Sequence, residues 1–275
     1  MTVAADAQEA LERAAPWIER LARVGFVAKG VAYVVTGYIA ARAAMGVGHA
    51  TGSRGAFRVI LDQPFGRVML WAVVVGLAGY GLWRLISAAT DSERRGTKPK
   101  GIALRIGHAA SGVGHLLFAA DAVSLLRGTG GSGDGNSRGL VAHGLAAPFG
   151  RWLVVGAGIG IIGYGLWQLY KAAFKDLEKH LRMRTELTHE QCKWLVRIGR
   201  FGTGARGAVF VLIGVFAARA GWAADPSRAG GLSEALRSLE AKSYTPVVLG
   251  SIAVGLIAYG IFQFVCARYR VVNAT

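Results

Sequence analysis

The 275-residue chain is 53% apolar and only 17% charged, with a mean hydropathy of +0.38. That balance excludes an ordinary soluble domain and points to the lipid bilayer. A net charge of +16 raises nucleic acid as a partner, but the basic residues gather in alternate loops between apolar stretches, the pattern of contact with anionic headgroups.

Residues 1–22 carry Asp6, Glu9, Glu12 and Glu19 and lack the basic-then-apolar order of a cleaved leader. They predict a short amphipathic helix on the membrane surface, ended near Pro16, with Trp17, Ile18 and Leu21 leading into the first span. A spanning helix needs about 20 mostly apolar residues. Residues 24–41, 68–83, 104–126, 152–170 and 247–267 approach or meet that length, and 152–170 and 247–267 hold no charge. Residues 207–218 become a full span only with Arg206 inside the bilayer. Six spans are expected. The outer loops predict short helices, with Ser233 as an N-cap in the third and Pro64, Pro148 and Pro246 starting the second spans. The glycine-rich stretch at 128–135 reads as loop material.

A two-part motif recurs three times. Its first part is Arg-x-Gly-x-x-x-x-Gly, at Arg23, Gly25 and Gly30, at Arg105, Gly107 and Gly112, and at Arg197, Gly199 and Gly204. Its second part, Gly-x-x-small-Tyr-Gly-x-aromatic-polar, occupies 76–84, 160–168 and 255–263. Each copy holds two spans, which divides the chain into an N-terminal segment (1–16) and repeats at 17–100, 101–190 and 191–275. Two spans per copy give every repeat the same orientation. The expected fold is all-α: a polytopic membrane helical bundle of six transmembrane helices, arranged as three parallel two-helix repeats around a pseudo-threefold axis. Forty glycines supply close helix contacts, and Gly156-x-x-x-Gly160 is expected to be one such face.

This layout resembles the DUF1206 family of bacterial membrane proteins, a domain of unknown function with a two-span unit in three copies. The resemblance rests on Arg23 and Gly25, on Phe57 and Arg58 before Pro64-Phe65-Gly66-Arg67, and on the 76–83 close, and it covers about residues 17–270. Repeat three departs most, with Ser243-Tyr244-Thr245-Pro246 in place of Pro-Phe-Gly-Arg and Phe262 in place of the tryptophan. The family implies an architecture and no activity.

Orientation follows from charge. The N-terminal segment, second and fourth loops and C-terminus hold 19 of the 32 Lys and Arg, against 11 in the other loops and two, Lys29 and Arg206, within spans. The densest clusters are Arg94, Arg95, Lys98, Lys100 and Arg105, then Lys171, Lys175, Lys179, Arg182 and Arg184. Basic loops stay cytoplasmic, so the chain is expected in the bacterial inner membrane with both termini in the cytoplasm. All seven tryptophans fall at expected span ends: Trp17, Trp83, Trp167 and Trp194 inside, Trp71, Trp152 and Trp222 outside. Cys192 and Cys266 lie on the reducing side without a metal-binding pattern.

Ionisable and polar residues inside spans are the functional candidates. Counted from the repeat Arg, position six holds Lys29, Ser111 and Thr203, and position ten holds Tyr33, His115 and Gly207. These positions share a helix face and form a polar belt. Arg206 lies near the depth of His115, and Asp121 sits about 10 Å further out, closer to Arg42. In a structural reading Lys29 snorkels inward, Arg206 bonds freed carbonyls or His115, and Asp121 pairs with Arg42. In a pathway reading the belt lines a route for a small solute, ion or proton. The charged residues are not repeated, which favours the structural reading. No catalytic triad, carboxylate pair or metal spacing is found; His108 and His115 share a face without a third ligand, and His143, His180 and His189 read as solvated. No cofactor and no enzyme activity are expected. The expected role is a structural or partner-binding membrane component, with a permeation protein as the alternative. The expected partners are the bilayer, its anionic headgroups at the basic loops, and a membrane protein or a second copy.

Overall fold

The computed structural model describes residues 3–90, 99–129, 135–175, 188–240 and 245–269. Arg94, Arg95, Lys98, Lys179, His180, Arg182 and Arg184 lie outside the described residues, as do 130–134 and the side chains of residues 3–18 and of Lys100. The described residues form helices and turns without a strand. The helices are α1 (Val3–Ala44), α2 (Ser53–Leu61), α3 (Gly66–Thr90), α4 (Pro99–Leu126), α5 (Gly135–Ala146), α6 (Gly150–Phe174), α7 (His189–Ala223), α8 (Leu232–Glu240) and α9 (Thr245–Tyr269). A 3-10 turn at Pro226–Arg228 precedes α8.

Six segments are long and apolar enough to cross a membrane: Ala22–Ala44, Gly66–Thr90, Leu104–Leu126, Gly150–Phe174, His189–Ala223 and Pro246–Tyr269. Helix is the form such segments must take, because lipid offers no partner to a backbone N–H or C=O. α7 carries Arg206 inside its span. It begins at a capping box, in which Thr188 Oγ1 accepts from the Gln191 N–H and Gln191 Oε1 accepts from the Thr188 N–H.

Three local expectations are corrected. α1 does not stop near Pro16 but runs unbroken from Val3 to Ala44. A proline removes one backbone hydrogen bond, which can bend a helix without ending it. Pro64 and Pro148 stand two residues before α3 and α6 rather than at their first positions, and Phe65 and Phe149 take left-handed conformations (φ 60° and 57°). The turn needs glycine next, since a Cβ at Gly66 or Gly150 would collide with carbonyls of the preceding outer helix. Ser233 is the second residue of α8, and its Oγ accepts from the Gly52 N–H at 2.9 Å, tying α8 to the start of α2.

The spans form a horseshoe in the order α4, α3, α1, α9, α7, α6. Its tightest pairs are α6 with α7, α1 with α9, and α3 with α4. Each joins the second span of one repeat to the first span of another, which is the pseudo-threefold relation. One glycine contact recurs at the three joints. A Cβ at Gly30 would lie 3.0 Å from the Gly260 carbonyl oxygen, one at Gly112 2.8 Å from that of Gly81, and one at Gly207 2.9 Å from that of Gly165. Backbones this close gain the dispersion that replaces the missing hydrophobic drive in lipid.

These joints correct the register of the third repeat. Arg200, Gly202 and Gly207 also spell Arg-x-Gly-x-x-x-x-Gly, three residues after the Arg197 set. Arg23 bonds the carbonyls of Ala267 and Arg268 at 2.6 and 2.9 Å, and Arg105 those of Ala88 and Ala89 at 2.7 and 2.9 Å. In repeat three it is Arg200, not Arg197, that reaches the end of the preceding span, at the Lys175 carbonyl. The motif Arg is therefore a cationic cap on the last turn of a neighbouring helix. With this register Lys29, Ser111 and Arg206 are equivalent, and Thr203 is the counterpart of Phe26 and His108.

The horseshoe is open within repeat two. α1 packs on α3 and α7 on α9, but α4 and α6 are not packed together. The closed hairpins set Gly25 against Tyr80 and Gly76 against Ala28, and likewise Gly202 against Tyr259 and Gly255 against Ala205. Their counterparts Gly107 and Gly160 have nothing within 4 Å of an added Cβ. Gly156 and Gly163 also face open space, so Gly156-x-x-x-Gly160 is not a helix contact. α6 instead packs through Gly158 and Gly165, which meet α7 at Ala218 and at Gly207 and Val211.

Candidate functional site

The second motif places one tyrosine per repeat one residue before a joint glycine: Tyr80, Tyr164 and Tyr259. The joints aim these rings toward the bundle axis, where they meet the cations. The Lys29 Nζ lies 4.8 Å from the Tyr80 ring centroid and 5.4 Å from that of Tyr259. Arg206 donates from Nε to the Tyr33 hydroxyl at 2.8 Å and from a terminal nitrogen to the Tyr164 hydroxyl at 3.2 Å. Its guanidinium also lies 4.5 Å from the Phe210 ring and 5.1 Å from the Tyr259 ring. The His115 ring lies tilted against Tyr80, centroids 4.6 Å apart, and its Nδ1 lies 2.7 Å from the Ser111 carbonyl, which can only accept, so Nδ1 carries the proton. Lys29, His115 and Arg206 are 5, 7 and 5% exposed, so this is a dry cluster.

The structure brings Lys29, Tyr33, His115 and Arg206 together, with Ser111 taking part through its carbonyl. Thr203 is buried outside these contacts. Asp121 lies away from the cluster and pairs with Arg54 at 3.1 Å rather than with Arg42. Arg54, on α2, also donates to Ser124 at 3.2 Å, so the short helix of repeat one is bolted to the first span of repeat two. Lys29 does not snorkel to the inner surface; the aromatic faces hold it in place. Arg206 is buried as expected, but against tyrosine hydroxyls rather than carbonyls or His115.

The residues missed in the sequence are Tyr80, Tyr164 and Tyr259, although the repeated motif displays all three. The third-repeat register hid the rest, because two overlapping Arg-x-Gly strings compete and the wrong one separates Lys29 from Arg206. Trp83 is likewise 4% exposed and packs on Phe26 and Tyr80 instead of lining the headgroups.

The electrostatics of the cluster are one-sided. Within the six spans the carboxylates are Asp121, held by Arg54, and Glu190 in the first turn of α7, held by Lys193. No described carboxylate meets Lys29 or Arg206. A cavity lined by Lys29, Tyr33, Thr36 and His115 reaches Ser53 and Leu232 beneath α2 and α8. Among the described residues no three His, Cys, Asp or Glu gather to hold a metal ion.

A family model described as Domain of Unknown Function (DUF1206) matches residues 24–91, 106–175 and 201–270. The chain belongs to this family. The matches begin one residue after Arg23, Arg105 and Arg200, in the register that the arginine caps and glycine joints select. An uncharacterized protein, YxxB, of Bacillus subtilis (strain 168) is 32% identical over 256 residues, covering 93% of this chain and 92% of its own length. No solved structure matches. The chain is thus a three-repeat, multi-pass membrane protein of a family whose name attaches no activity.

Proposed function

We propose that this DUF1206 protein is a membrane-embedded binding component, not an enzyme. Its binding centre is the chamber formed by the cavity that Lys29, Tyr33 and His115 line together with Arg206, which bonds Tyr33 beside it, and this chamber takes an anionic group. The observation that carries this reading is the pair of buried cations, at equivalent positions of two repeats, that no described carboxylate neutralises. A cation in the bilayer centre costs about 2.5–3.5 kcal/mol on insertion scales, and aromatic faces return about 2 kcal/mol or more each when dry. The rings offset that cost but carry no counter-charge, so an anion at the two cations would still be drawn in to neutralise them, with the Tyr33 and Tyr164 hydroxyls at hand to donate. The permeation reading is weaker, because the cations stand against the rings at the centre rather than along a continuous polar wall.

The same proposal places the chain in the bacterial inner membrane with both termini cytoplasmic, supported by the 19 to 11 division of Lys and Arg between the two sets of loops. The basic loops then meet anionic headgroups, and a membrane protein or second copy is a further partner.

The test is a phosphate titration of the full chain in neutral detergent. The thermal midpoint should rise and saturate, since a ligand that binds only the folded state stabilises it by mass action. Lys29→Gln should abolish the rise. A midpoint indifferent to phosphate, or one that rises equally in Lys29→Gln, would refute the reading.

A further inference from the structure

We infer that the open α4–α6 hairpin is a lateral portal and that the anion reaching the chamber is the headgroup of a lipid, whose chains lie in the seam. This rests on the proposed anion-binding chamber and adds the source of the anion and the route it takes.

Three observations carry it. The seam is a defect in an otherwise repeated design, since the glycines that seat α1 on α3 and α7 on α9 are present at Gly107 and Gly160 but touch nothing. Gly156, Gly160 and Gly163 are exposed on α6 and, like Gly107 and Gly114 on α4, leave open space where a Cβ would stand. The seam also reaches Arg206 through Tyr164. Tyr164 is half-buried, whereas Tyr80 and Tyr259 are 1 and 6% exposed, because no partner helix covers it. Its hydroxyl accepts from Arg206, so one tyrosine separates the guanidinium from the groove.

Charge and position select the occupant. A groove of small apolar surface suits acyl chains, and Arg206 behind Tyr164, with Lys29 on the shared Tyr259 ring, suits an anionic head. Lys29 has no acceptor or carboxylate among the described residues. It lies six residues into its span from Arg23, about 9 Å along the helix, within reach of a headgroup drawn sideways from the inner leaflet. A second transmembrane helix would suit the small residues but would leave the cations unneutralised.

The experiment uses the full chain in phosphatidylcholine nanodiscs doped with dioleoyl phosphatidylglycerol, with retained lipid counted by native mass spectrometry. Retention of phosphatidylglycerol over phosphatidylcholine is expected, and Lys29→Gln should lower it on the order of tenfold. Gly163→Trp, which puts an indole at a position whose Cβ has open space around it, should lower it similarly, while the phosphate-dependent rise in thermal midpoint survives. Gly107→Trp, from the opposite wall, should repeat that result and guards against a folding defect in the first variant. If wild type and both tryptophan variants respond to phosphate but retain phosphatidylglycerol equally, or if none of them retains it, the portal is wrong and the chamber reading stands. If wild type responds to neither ligand, both fall. A dimer that forms in phosphatidylcholine and is lost in Gly163→Trp, without phosphatidylglycerol retention, assigns the seam to a second copy and overturns the inference.

Discussion

Lys29 and Arg206 share the Tyr259 ring, at 5.4 and 5.1 Å from its centroid. Two like charges would not choose one neighbour in water. Here the ring's negative face is among the few features in a dry bundle that favour either of them. Tyr259 is therefore the joint between repeats one and three as well as a wall of the chamber.

Tyr259→Phe keeps the ring and should shift the thermal midpoint in detergent little. Tyr259→Leu removes two cation contacts and the edge-on contact with Tyr33, whose centroid lies 4.8 Å away. At about 2 kcal/mol for a desolvated cation–π contact, the loss should be at least about 2 kcal/mol. Equal midpoints for the Phe and Leu variants would show that the ring face carries no stability.

Arg54 and Asp121, at 10 and 12% side-chain exposure, form the buried ion pair that fixes α2 to α4. Removing one partner leaves the other buried and unpaired, so Arg54→Leu or Asp121→Leu should each cost about 3–5 kcal/mol. The double variant should recover much of that, because two apolar groups need no partner. A double-mutant cycle on unfolding midpoints measures the coupling. Strict additivity of the two single effects would contradict the pair.

The six spans, the three-copy architecture and the burial of Arg206 were legible because each depends on local composition or on a repeated string. The arrangement of the chamber was not, for reasons particular residues make plain. Arg197 and Arg200 both open an Arg-x-Gly-x-x-x-x-Gly string, and the contacts at the α6–α7 joint, the Lys175 carbonyl and the Gly207–Gly165 approach, distinguish them. Asp121 is nearer in depth to Arg42 by residue counting, but α2 folds Arg54 back onto it from a loop whose path sequence periodicity does not describe. The opening of repeat two is invisible in sequence, since Gly107 and Gly160 keep the residues of a closed hairpin.

The arginine caps give a direct test of register. Arg105→Ala frees the carbonyls of Ala88 and Ala89, and hydrogen bonds to a charged group are each worth about 1.5–3 kcal/mol. Arg197 is exposed and lies over the Trp194 ring, so Arg197→Ala should be nearly neutral. Chemical denaturation in a mild detergent would rank them. A larger effect at Arg197 than at Arg105 would reinstate the earlier register.

Glycine substitutions separate the closed joints from the open seam. A valine at Gly81 would press on the Gly112 carbonyl and Leu116, and one at Gly30 on the Gly260 carbonyl and Phe264. Overpacking of this kind costs about 1–3 kcal/mol, so both variants should lose folded yield and thermal midpoint. A Cβ at Gly163 meets nothing within 4 Å, so Gly163→Val should be tolerated. If Gly163→Val is as damaging as Gly81→Val, the α4–α6 hairpin is closed in the membrane.

Orientation is tested by reporter fusions. Arginine and lysine near span ends resist translocation, and the bias is counted over short loops. The loops after α3 and α6 carry Arg94, Arg95 and Lys98, and Lys179, Arg182 and Arg184, whereas those holding α2, α5 and α8 carry their arginines more sparsely. A reporter active only in the cytoplasm should work when fused after residue 95 or 180 and fail after residue 135 or 230. A periplasmic reporter should give the reverse. Replacing Arg94, Arg95 and Lys98 with glutamine should weaken the bias more than any loss of three outer arginines, because it thins the cluster that anchors the first hairpin. The opposite reporter pattern in the wild-type chain would invert the inside and outside of the horseshoe, and with it the leaflet from which an anionic headgroup enters.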